Sequence, residues 1–136
     1  MIIADTSGLL ALFNRREPKH EDVRRVVESE REPLAISPYV VAELDYLVAT
    51  KLGIDAELEV LGELAGGAYH LAQLEADDLN AAATTVERYR DQAIGVADAS
   101  LVVLASRHRT RTILTLDHRH FAVLRPLDGG RFRLLP

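Results

Sequence analysis

The sequence predicts an α/β fold built on a mainly parallel sheet. Two observations carry this. Short apolar runs of strand length alternate with helical stretches along the chain. Residues that start or stop helices stand between many of them. A chain that alternates in this way lines its strands up in one sheet and packs the helices against it. No repeat, linker or low-complexity tract interrupts the pattern, so residues 1–136 read as one domain.

Met1-Ile2-Ile3-Ala4 is long enough for a buried strand. Asp5-Thr6-Ser7-Gly8 suits a tight turn and a helix start, ahead of the apolar residues 9–13. A helix over about 20–31 places Val23, Val26 and Val27 on one face, and Pro33 breaks it. Residues 34–36 form a second short strand. At Ser37-Pro38 the serine caps and the proline takes the first helical position, opening a helix that runs to about Leu52 and stops at Gly53. A further helix covers about 54–65 and ends at Gly66-Gly67. Residues 69–71 are a weakly marked third strand. An alanine-rich helix follows over about 75–90. Gly95 breaks the chain, and another helix covers about 97–108. Residues 112–116 are β-branched and apolar, the clearest strand of all. The remainder reads as a short turn and a last strand at 132–134.

Composition narrows the setting. Apolar residues make up 48% and charged residues 27%, enough to bury a core without staples. The absence of cysteine excludes disulfides and thiolate metal sites. No run approaches the roughly 18 apolar residues of a membrane helix, and no basic segment leads an apolar one as in a signal peptide. The expected setting is the cytoplasm. Net charge is −5, yet residues 107–133 alone carry +5, from seven arginines against two acids. That asymmetry marks either a basic path for a polyanion such as RNA or a solvated helix end and tail.

Four carboxylates stand out. Asp5 and Asp117 each follow an apolar strand directly, where an open parallel sheet gathers its ligands; each taken singly is also an ordinary turn aspartate. Asp98 falls within the apolar arc of its helix, between the directions of Ala105 and Val102. A carboxylate there is costly without compensation, and its place in the first turn offers some through the helix dipole. Simple capping of the helix start is the other explanation. Glu43 borders the stripe of Val40, Val41, Leu44, Leu47 and Val48, ~7.5 Å along its helix from Pro38. By itself it is a solvated residue at a stripe edge or a contributor to a shared site.

Taken together, four acids with no evident basic partner point to a hard cation, Mg²⁺ or Mn²⁺. Such an ion orients a water, helps remove its proton and neutralises charge on a phosphodiester. Clustered carboxylates without one repel. Ser7 and Thr115 are hydroxyls beside the two strand-end acids, either supports for that site or a cap and a strand residue. His118 and His120 read as surface residues. No glycine-rich phosphate loop exists, and no pattern for covalent catalysis. A signalling receiver would need adjacent acids after the first strand, but Thr6 follows Asp5. A phosphatase with an aspartyl nucleophile would need an acid where Ser7 stands. A non-catalytic RNA- or protein-binding module remains the alternative.

The order Ile3-Ala4-Asp5-Thr6-Ser7, Ser37-Pro38 with Glu43, Gly95-Val96-Ala97-Asp98-Ala99-Ser100 and Thr115-Leu116-Asp117 resembles the PIN-domain nucleases over essentially the whole chain. Residues 114–121, Leu-Thr-Leu-Asp-His-Arg-His-Phe, are similar to the VapC-type toxins of toxin–antitoxin pairs. The resemblance implies a three-layer α/β/α sandwich and a metal-dependent endoribonuclease. It implies Asp5, Glu43, Asp98 and Asp117 as the acidic site, with Asp5 and Asp98 the surest metal contacts. It also implies an inhibiting cognate antitoxin and a homodimer formed through helices near Glu43.

Overall fold

Every strand pairing is parallel. The computed structural model describes residues 1–136 and contains five strands in the spatial order β3-β2-β1-β4-β5. These are β1 (Ile3–Ala4), β2 (Ala35–Ile36), β3 (His70–Leu71), β4 (Thr112–Leu114) and β5 (Arg133–Leu135). Ile3 lies opposite Ala35 on one side and Ile113 on the other, so β1 sits at the centre. Ile3 and Ala4 point to opposite faces of the sheet, and both are wholly buried. Helices therefore cover both faces, which makes the architecture a three-layer sandwich.

The helices are α1 (Thr6–Phe13), α2 (His20–Ser29), α3 (Pro38–Leu52), α4 (Ile54–Ala65), α5 (Ala76–Arg88), α6 (Val96–Arg107) and α7 (His118–Val123). The capping signals set α3 as read: the Ser37 hydroxyl accepts the Tyr39 N–H, and Gly53 takes a φ of 91° beyond the last turn. No helix is long and apolar enough to cross a membrane. A core of 28 buried apolar residues joins the layers. Helix α6 is buried on all sides from Ala99 to Ala105, including Ser100. Its first turn runs from exposed Val96 to half-buried Ala97 and Asp98, at the surface of that buried stretch.

Local structure departs from the sequence reading in a few places. Helix α1 starts directly at Thr6, without an intervening turn. Helix α2 ends at Ser29, because the Glu30 carboxylate takes the N–H groups of Arg31 and Glu32. Strand β4 stops two residues early: the amides of Leu116 and Asp117 donate to the Ser7 and Thr115 hydroxyls instead of to a strand. Asp117 then caps α7 by accepting the His120 N–H, so the stretch read as a turn is a short helix.

Gly8 marks the closest approach of α1 to the sheet. A Cβ there would lie 2.6 Å from the Leu114 carbonyl oxygen and 2.8 Å from its Cγ. Gly62, inside α4, has nothing within 4 Å of such an atom. Opposite effects of the same substitution follow. Gly8→Ala is expected to destabilise by about 1–3 kcal/mol through overpacking. Gly62→Ala is expected to stabilise by about 0.5–1 kcal/mol through helix propensity. Urea unfolding of the two variants reads both signs, and a neutral Gly8→Ala would overturn the tight α1–β4 contact.

Candidate active site

The carboxyl edge of the sheet opens into a cleft of about 770 Å³, and Asp5, Glu43, Asp98 and Asp117 all line it. Four different elements deliver them. Asp5 follows β1, Asp117 follows β4, Asp98 is in the first turn of α6 and Glu43 lies on α3. Strands β1 and β4 are hydrogen-bonded neighbours in register, with Ala4 opposite Leu114, so the two strand-end acids leave the sheet side by side.

Asp5 is the most constrained. It is 6% exposed, and its Oδ2 accepts from both the Ser7 hydroxyl and the Thr115 hydroxyl, each at 2.7 Å. Each hydroxyl in turn accepts a backbone N–H, Ser7 from Leu116 and Thr115 from Asp117. Two donors on one oxygen fix the carboxylate plane and leave its other oxygen free of partners in the chain. Thr115 stands behind Asp5, fully buried, while Ser7 reaches the cleft wall.

A second contact ties the helices that carry Glu43 and Asp98. The Ser100 hydroxyl lies 2.7 Å from the Ser37 hydroxyl, buried between the starts of α6 and α3. It also reaches the Ala97 carbonyl oxygen at 2.6 Å, so its single hydrogen is shared between the two. Two residues before Ser100 on α6, Asp98 lines the cleft with its side chain 19% exposed.

Burial, then the negative charge of Asp5, raises the Asp98 pKa from 3.8 to about 6; Glu43 and Asp117 push the same way and His120 opposes. No arginine or lysine pairs with any of the four acids. The one basic side chain beside them is His120, whose Nδ1 stands 3.3 Å from both Asp98 Oδ2 and Asp117 Oδ2. The donors are thus hard oxygens with unbalanced negative charge, the chemistry of a Mg²⁺ or Mn²⁺ site. No three of these side chains close around a single point.

Three cleft residues escaped the sequence reading. His120 reads as a surface residue and its side chain is 44% exposed, but it stands at the cleft because α7 sets it three residues beyond Asp117, on the same helical face. Lys51 shares the α3 stripe of Tyr39, Glu43 and Leu47, all four spaced by four and all lining the cleft. Thr6, 3% exposed, lines it with a hydroxyl that has no partner in the chain.

Residues 107–133 do not form one path beside the acids. Arg107 ends α6, nine residues or ~13.5 Å beyond Asp98, and is held there by Asp78 and the Gln73 carbonyl. Arg109, Arg111, Arg131 and Arg133 precede or begin β4 and β5, at the amino edge of the sheet. Only Arg119 and Arg125 follow β4 onto the carboxyl side. The physical reason is the parallel sheet itself: residues entering a strand and residues leaving it lie at opposite ends.

Comparison with known proteins agrees with this architecture. The PIN domain family model matches residues 2–125. The chain is 59% identical over 135 residues to Ribonuclease VapC26 of Mycobacterium tuberculosis, which spans 99% of this chain and 100% of that protein. Among solved structures it superposes on Mycobacterium tuberculosis VapC20, described as a Sarcin-Ricin loop cleaving toxin, with a TM-score of 0.85 at 19% identity over 100% of both chains. A toxin–antitoxin complex from Klebsiella pneumoniae matches with a TM-score of 0.70 at 18% identity, over 91% of this chain and 92% of that one. The two structural likenesses bear on the fold, and the family model with the full-length relative on kinship: the chain belongs to the PIN-domain family, among its VapC-type ribonucleases.

Proposed function

We propose that the chain is a divalent-metal-dependent endoribonuclease, the toxin of a toxin–antitoxin pair, and that it hydrolyses RNA phosphodiesters at the cleft of Asp5, Glu43, Asp98 and Asp117. The observation that carries this is the arrival of four carboxylates from four elements in one cleft, with no arginine or lysine paired to them. Asp5 and Asp98 are the residues we assign to hold Mg²⁺ or Mn²⁺, with Glu43 and Asp117 completing the set. When bound, the ion supplies positive charge to the phosphate oxygens and acidifies a water beside it. Ser7 and Thr115 orient Asp5 by occupying one of its oxygens. A carboxylate of the set that the ion leaves free accepts the proton of the attacking water.

The partner reading rests on a second groove, away from the acids. It measures about 990 Å³ and has an apolar floor, including Phe13, Leu52 and Val60, rimmed by Arg15, Arg24, Glu59 and Glu63. Such a groove suits an amphipathic segment of a protein partner, and we assign it to the cognate antitoxin. A homodimer is supported by the apolar stripe of Ile54, Leu58 and Leu61 on α4 and by Tyr46 of α3, all exposed. Light scattering reads both assemblies. The chain alone is expected at dimer mass, Leu58→Lys at monomer mass, and Arg15→Glu is expected to lose co-elution with the antitoxin while keeping RNA cleavage. Unchanged masses in both variants would sink the two assignments.

Activity tests the chemistry. The purified chain is expected to cleave RNA with Mg²⁺ or Mn²⁺ and to stop in excess chelator. Asp98→Asn keeps the side chain's shape, and is expected to abolish cleavage with the fold intact by circular dichroism. Cleavage that persists in chelator, or in Asp98→Asn, would refute the site.

The raised Asp98 pKa also sets a dependence of stability on pH. The folded chain holds this proton more tightly than the unfolded chain, in which the value is near 3.8. Stability contributed by protonated Asp98 is therefore present at about pH 4, is lost as pH rises through about 6, and does not return above that. In chelator, Tm of the wild type is expected to fall relative to Tm of Asp98→Asn across this window. Parallel Tm–pH curves for the two proteins would mean that neither burial nor the neighbouring acids raise the Asp98 pKa in the folded chain.

A further inference from the structure

With the amino-edge arginines excluded, the nuclease site still has to hold a polyanion over four acids of its own charge. Two cations stand where this can be done. Lys51 lines the acid cleft from the far end of α3, eight residues or ~12 Å along the helix from Glu43. Arg119, on α7, lines a shallower groove with His118 and Leu116. That groove shares Ser7 and Asp117 with the acid cleft, so the two are continuous. Lys51 and Arg119 are both exposed, and neither makes an ion pair or side-chain hydrogen bond within the chain. Several other cations are already committed: Arg107 to Asp78, Arg111 to Asp128, Arg90 to Glu87, and Arg24 and Arg25 to acids on their own helix.

We infer that Lys51 and Arg119 bind the RNA backbone on either side of the four carboxylates, each holding a phosphate that flanks the one cleaved. This rests on the nuclease reading and adds the direction in which the strand crosses the site. Phosphate contacts from lysine and arginine position a nucleic acid without reading its sequence. A strand laid across an acidic cleft is repelled at its middle, so attraction must come from the flanks. The reacting acids are also recessed, Asp5 at 6% and the Asp98 side chain at 19% exposed. A phosphate must therefore descend between α3 and α7 to reach them, and cations at the two flanks hold the chain while it does. Tyr39, Leu47 and Val96 on the cleft wall offer an apolar surface for an unstacked base.

The test uses the full chain with Mg²⁺ and a fluorescent single-stranded oligoribonucleotide. Lys51→Gln, Arg119→Gln and the double variant are compared with Arg111→Gln and Arg133→Gln, which lie at the amino edge. Cleavage over 50–200 mM salt is expected to show KM raised severalfold in each of the first two, with kcat nearly unchanged. The dependence of log(kcat/KM) on log salt should become shallower by about 0.7 for each cation removed from a single-strand contact. The amino-edge variants should leave both readouts where they are. Binding by fluorescence anisotropy, with all substitutions placed in an Asp98→Asn background, separates affinity from chemistry and should follow the same order. An unchanged salt slope in the Lys51 and Arg119 variants overturns the inference, as does loss of affinity in the Arg111 or Arg133 variants alone. Cleavage that needs neither cation would leave the nuclease reading intact and remove this path. Affinity that needs both, with no cleavage in Mg²⁺, would support the path and overturn the nuclease reading instead.

Discussion

Repulsion among Asp5, Glu43, Asp98 and Asp117 is the constraint around which the carboxyl edge is built. Like charges brought into one cleft tend to separate or to take up a proton, and the Asp98 pKa is raised first by burial and then by the neighbouring charge of Asp5. The chain resists it with short, directional contacts at the base of the cleft. Two hydroxyls grip one oxygen of Asp5. The Ser37–Ser100 contact locks the start of α3 to the start of α6. Asp98 sits in the first turn of a helix, where free amides and the helix dipole favour an anion.

These contacts tie the sheet to the site. Ser7 and Thr115 not only orient Asp5 but also take the amides that would have prolonged β4. The strand ends there, the chain turns, and Asp117 caps α7. A single small network therefore ends a strand, starts a helix and aims two carboxylates. The packing of Gly8 on Leu114 belongs to the same region, since a side chain there would push α1 away from β4 and with it Ser7 from Asp5. Fold stability and site geometry are not separable at this edge.

The charge pattern shows how a linear count misleads. Seven arginines within residues 107–133 look like one basic patch on an otherwise acidic chain. A parallel strand in the middle of that stretch divides it, sending residues before β4 to one end of the molecule and residues after it to the other. Basic character near the acids is then carried by few groups. His120 lies among them, while Lys51 and Arg119 flank them from helices distant in sequence.

Much of the molecule was determined by the sequence alone, wherever the cause is local. Alternation of apolar runs and caps specified the parallel α/β class, the bounds of α3 and α4, and the positions of Asp5 and Asp117 at strand ends. The wheel of α6 showed that Asp98 points inward, because helical periodicity carries direction as well as structure. Tertiary structure decided what depends on neighbours far along the chain. The pairing of β1 with β4 set Asp5 beside Asp117 and brought Thr115 behind Asp5, 110 residues away in sequence. Helix α7 was hidden because its six residues carry no periodic pattern, and its cap is one of the site acids. His120 and Lys51 consequently gave no sign of facing the cleft. Periodicity tells which way a side chain leaves its own element; only the crossing of elements tells what it meets there.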